Sequence, residues 1–145
     1  MKKIKDMLRA ITTTIIGVIL GMMGMMAMHY LSMVFYPLPK GVTMEDAEAL
    51  NKYMEIAPLG AMILVIVSHA MGSFIGALSA TLLSQVSKWK KSIPFQYQFL
   101  IIGLIFTYAG WLNLESITHT DWFKIDLLFY LPAAYFGYKL VAKKA

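Results

Sequence analysis

Two histidines stand inside long apolar runs, and an ionisable side chain at membrane depth marks a functional site by default. His69 falls about 16 Å along a helix from Pro58, near the middle of a bilayer, and His29 about 9 Å from the end of its own run. A neutral imidazole there can bond across a helix interface, with Ser73 four residues on as a polar neighbour, or it can serve a proton, a metal or a quinone. A second polar group comes from one helix end, loop and helix start: Asn113, Glu115, His119, Asp121 and Asp126, with His29 nearby. Carboxylates and imidazoles so placed can bind a divalent cation or relay protons, and can equally cap helices and wet a loop. His29, His69, Asn113, Glu115, His119 and Asp126 are therefore the candidate polar or ion site.

No spacing among these residues is that of a metal centre, and no metal or other cofactor is assigned. Met22-x-x-x-Met26 followed by His29 offers soft thioether donors of the kind that select Cu(I). The outer loop has no methionine-rich capture segment, however, and flexible methionines filling an irregular helix interface account for the cluster. The absence of cysteine excludes disulfides, thiolate nucleophiles, zinc knuckles and iron–sulfur ligation. There is no GxSxG elbow, HExxH, P-loop or GxGxxG. No catalytic residue is assigned, and the sequence favours a non-enzymatic role.

These side chains are carried by a very apolar chain. Of 145 residues, 59% are hydrophobic and 14% charged, against roughly 45–50% and about 25% in soluble domains. Too few charges remain to cover a water-facing surface, so the lipid bilayer is the expected solvent and partner. Four runs read as membrane-spanning helices: residues 10–35, 58–86, 95–114 and 122–141. The first is far longer than the roughly 7–15 apolar residues of a signal peptide and reads as retained. The last, with its apolar core at 125–141, is at the short end of the spanning range. The expected fold is all-α, a single integral membrane domain over residues 1–145 forming a four-helix transmembrane bundle.

An outer loop, residues 36–57, joins the first two spans. Pro37, Pro39 and Gly41 end the first helix. Thr43 with Asp46 three residues on reads as an N-cap, and Met44, Ala47, Leu50, Met54 and Ala57 recur at helical spacing. A short amphipathic helix in this loop would roof the bundle, or act as a lid or docking site.

Orientation follows the basic residues, which stay on the cytoplasmic side of short loops. Lys2, Lys3, Lys5, Arg9, Lys88, Lys90, Lys91, Lys139, Lys143 and Lys144 share one side, leaving Lys40, Lys52 and Lys124 on the other. Asp6 is the only acidic residue on the basic side. The expectation is a multi-pass protein of the inner cell membrane with N- and C-termini cytoplasmic. The positive balance reflects topology and attraction to anionic lipid, and no nucleic-acid patch is present.

Within the second span, Ser68, Gly72, Gly76, Ala80 and Ser84 recur every fourth residue, a small-xxx-small stripe that lets two helix backbones approach. Gly17, Gly21 and Gly24 in the first span are its counterpart, either in the same chain or in a second copy. Taken together, Tyr36-Pro37 with Pro39 and Gly41, residues 48–53, Pro58-Leu59-Gly60-Ala61, residues 69–77, Trp111 to Leu114, Trp122-Phe123 and Leu131-Pro132-Ala133-Ala134 resemble small, uncharacterised four-helix bacterial integral membrane proteins. That resemblance implies a fold and lends no activity. The leading expectation is a non-enzymatic packing protein, as a homo-oligomer or accessory subunit of a membrane complex. The runner-up is a small transporter or channel using His69 and the outer acidic group, and a third reading is a membrane enzyme with its site at the outer mouth.

Overall fold

The computed structural model describes residues 2–43, 45–86, 97–116 and 121–142, at residues 2, 3, 86 and 122 in backbone only. Lys88, Trp89, Lys90 and Lys91, the start of the third run at Phe95, and His119 lie outside those residues. The described residues form helices and connecting turns, with no strand among them. In chain order the elements are α1 (Lys2–Phe35), α2 (Ala47–Ile56), α3 (Leu59–Val86), α4 (Gln98–Ser116), a 3-10 segment (Asp121–Leu128) and α5 (Tyr130–Val141). Among the described residues, three stretches are long and apolar enough to cross a membrane: Ile4–Phe35, Leu59–Gln85 and Gln98–Ser116.

α1 starts at Lys2 rather than at residue 10, because the basic residues ahead of the apolar run are themselves good helix formers. Its 34 residues make about 51 Å of helix. Thr12, Thr13 and Thr14 do not break it, since each hydroxyl donates to a carbonyl of the preceding turn at 2.8–3.1 Å. After Pro37 and Pro39 the chain turns at Gly41, whose φ of 87° suits glycine.

α2 is capped by Asp46, whose side chain accepts from the Ala49 N–H, and not by Thr43. Thr43 only closes a turn, its carbonyl accepting from the Asp46 N–H at 3.3 Å. α2 lays Leu50 and Met54 onto Met62, Ile66 and Phe123, while Glu48 and Lys52 pair in the open. α3 begins immediately after Pro58, whose carbonyl accepts from Ala61 and Met62.

The fourth span is not one helix. Residues 121–128 wind as a 3-10 helix, Phe129 turns, and α5 has only 12 residues, about 18 Å, well under the roughly 30 Å of a hydrocarbon core. Pro132 explains the break. In a continuous α-helix its missing N–H would orphan the Leu128 carbonyl and its ring would strike that same group. The chain instead makes a tighter bond, Phe129 N–H to Asp126 carbonyl at 3.0 Å, and restarts with Pro132 in the first turn of α5, where proline is tolerated.

α3 is the hub, touching α1, α4 and α5. A Cβ on Gly17 would lie 2.7 Å from the Gly76 carbonyl oxygen, and one on Gly21 would lie 2.5 Å from that of Gly72. Gly24 faces Ile75 in the same way. The small-residue stripe is thus covered by α1 of the same chain. On the other flank Gly137 of α5 meets the Phe74 backbone. Ala77, Ala80, Ile102, Phe106, Tyr130 and Ala134 fill the centre.

Candidate functional site

The 3-10 twist carries Asp126 inward against α3. There its Oδ2 lies 2.7 Å from His69 Nδ1 and accepts from the Tyr130 hydroxyl at 2.8 Å. Asp126 is 1% and His69 5% exposed, so both sit away from water and lipid. Tyr130 follows Asp126 by one turn, and its ring stacks on His69 with centroids 5.8 Å apart. Gly110 of α4 makes room for it, since a Cβ there would lie 2.5 Å from the Tyr130 hydroxyl. His29, half-buried on α1, sets its ring edge-on to His69 at 5.2 Å.

The bonding pattern says which atoms can exchange a proton. Asp126 Oδ2 accepts from the Tyr130 hydroxyl, and with the carboxylate ionised its 2.7 Å contact takes a hydrogen from His69 Nδ1, which leaves Nε2 as the ring nitrogen the carboxylate does not engage. The other carboxylate oxygen, Asp126 Oδ1, is buried with no hydrogen-bond partner among the described residues. Such a buried orphan on a carboxyl group is costly to keep and marks a strained or working group.

Two cavities meet at this centre. One, of about 120 Å³, lies under α2 between Tyr36, Tyr53, Met54 and Met62, with His29, His69 and Asn113 on its wall. The second, of about 130 Å³, lies between α1 and α4 along Met22, Met25, Ile105 and Ala109, and also reaches His69, Asn113 and Tyr130. Asn113 Oδ1 is buried without a donor among the described residues. His69 and Asn113 are common to both linings.

Of the residues expected to form a polar site, the structure brings together His29, His69, Asn113 and Asp126. Glu115 is exposed at the end of α4 and lines neither cavity. His119 lies outside the described residues. Asp121 pairs with Lys124 at 2.8 Å in full solvent; that hydrogen bond and then the lysine charge hold its carboxyl below the ordinary value, so it does not titrate near neutrality. Ser73, the expected neighbour of His69, is buried with its hydroxyl unpaired among the described residues, and the histidine bonds Asp126 instead. Ser68 and Ser84 return their hydroxyls to the carbonyls of Leu64 and Thr81. Among the described residues no group of three or more His, Asp or Glu side chains could hold a metal ion.

Tyr130 was not among the expected site residues, although its i, i+4 spacing from Asp126 is visible in the chain. Nor was Gln98, whose side-chain amide donates to Thr13 Oγ1 at 2.7 Å, to Thr14 Oγ1 and to the Ala10 carbonyl. This clamp ties the first turn of α4 to α1 at the end opposite α2. No protein-family model matches the chain, and neither a curated protein nor a solved structure matches it.

Proposed function

We propose that this chain is a small proton-handling transporter of the inner cell membrane. It is multi-pass with both termini cytoplasmic, with three continuous crossings and a fourth broken at Phe129. The observation that carries the reading is the buried His69–Asp126–Tyr130 network, reached by cavities from two directions. Titratable groups held at membrane depth and hydrogen-bonded to one another are typical of proton relays. A span interrupted where it meets a cavity is the form that substrate and ion sites take in membrane proteins.

The alternative, a packing protein acting as an oligomer or accessory subunit, drew its support from the small-residue stripe. That stripe is occupied by Gly17 and Gly21 of the same chain, so it no longer calls for a second copy. The test is proton movement into proteoliposomes loaded with a pH-sensitive dye under an imposed pH gradient. Wild type should acidify the lumen faster than protein-free vesicles, and Asp126→Asn and His69→Gln should not. Wild-type vesicles indistinguishable from empty ones would overturn the proposal.

A further inference from the structure

The two cavities have a size, a lining and an unfilled valence that together describe a ligand. An apolar cavity of about 150 Å³ holds one benzene ring, so spaces of about 120 and 130 Å³ each admit roughly a single ring or a short stretch of alkyl chain. The α2-side cavity is walled by Tyr36, Tyr53, Met54 and Met62, aromatic and thioether surfaces that suit a flat ring. At its floor Asn113 Oδ1 is buried and accepts no hydrogen bond among the described residues, next to His69. The second cavity leads from the same Asn113 toward the lipid-facing perimeter, where Met22 is 49% and Ile105 41% exposed. A ring on one side, a hydroxyl at Asn113 and an open way to the acyl chains on the other fit one chemistry.

We propose that this tract binds a single-ring phenol, the ring beneath α2 and the hydroxyl donating to Asn113 Oδ1 beside His69. The ligand is either a free phenol or the hydroxylated ring of a lipid whose tail leaves between α1 and α4. The assignment deepens, and rests on, the reading of His69 and Asp126 as the exchange centre. Binding is read apart from flux, so the two can fail separately.

The test uses full-length protein in nanodiscs with 13C-methyl methionine, because Met33, Met54 and Met62 line the first cavity and Met22 and Met25 the second. Phenol should shift the Met33, Met54 and Met62 methyls saturably, and 4-octylphenol should shift Met22 and Met25 as well. Toluene should bind about tenfold more weakly than phenol, the worth of one neutral hydrogen bond, and Asn113→Leu should erase that preference. Ala61→Phe, filling the first cavity, should abolish all shifts in a protein whose circular dichroism is unchanged. Ala109→Trp separates the two sources of the ring: loss of octylphenol alone assigns a lipid-borne ring, and retention of both assigns a free phenol.

Methyl shifts that do not saturate, that spread over methionines outside the two cavities, or that are equal for phenol and toluene in wild type overturn the proposal without recourse to any variant. Proton flux with no such shifts overturns the ligand class alone, whereas saturable shifts without flux uphold the ligand class and overturn the exchange reading.

Discussion

His69 and Asp126, 57 residues apart in sequence, are joined by a bond of 2.7 Å that fastens the 3-10 segment to the central helix α3. Because the Tyr130 hydroxyl uses the same carboxylate oxygen, one side chain organises two partners. Asp126→Ala leaves both donors buried and unmatched and should cost about 3–5 kcal/mol of stability. Asp126→Asn keeps an acceptor in place and should cost markedly less. Unfolding of the two variants in mixed micelles measures the difference, and equal losses would show that the carboxylate does not hold the segment.

Pro132→Ala removes the obstacle to a continuous α-helix through Leu128. The expected outcome is a gain of helix in the last quarter of the chain, with Asp126 turned away from His69 and proton movement lost. Spin labels on α3 and on the 3-10 segment would record the altered distance. An unchanged distance would mean that packing around Phe123 and Asp126, rather than the proline, sets the break.

Gly21→Ala places a methyl 2.5 Å from the Gly72 carbonyl oxygen and 2.8 Å from Phe106, both fixed within the core. Overpacking of that kind costs about 1–3 kcal/mol. Gly41→Ala meets no atom within 4 Å, and its penalty of about 1 kcal/mol comes from the positive φ alone. Thermal unfolding should rank the two in that order, and only Gly21→Ala should loosen α1 from α3 in hydrogen exchange.

Gln98→Leu keeps the bulk of the side chain and discards its donors to Thr13, Thr14 and Ala10. A net loss of about 1–2 kcal/mol is expected, since the Thr hydroxyls still bond within α1. Faster exchange should be confined to the first turns of α4. Faster exchange throughout the bundle would show the clamp to be central to the whole assembly.

Much of this organisation was legible from local pattern. Apolar length alone located α1, α3 and α4 as the helices able to cross a membrane, and four-residue spacing of small side chains identified Gly72, Gly76 and Ala80 as a close-packing face. The fourth apolar run does not form the single helix expected of it, because hydropathy counts apolar residues without asking whether Pro132 lets them share a helix. Thr43 and Asp46 are both good caps by type, and only the three-dimensional turn decides between them. The meeting of His69 with Asp126 depends on how α3 and a segment 57 residues away are packed, which no local spacing encodes. Once that meeting is known, Tyr130 follows from its one-turn offset.

The 12-residue length of α5 bears on how the protein comes to be made. A segment so short, preceded by tight 3-10 winding with a carboxylate in it, is a poor substrate for independent insertion, because lipid would leave polar backbone and the acid unsolvated. α1 and α3 meet no such obstacle and can partition from the translocation machinery one after the other. Residues 121–141 then enter against a surface those helices have already provided, so the His69–Asp126 bond forms only once α3 is in place.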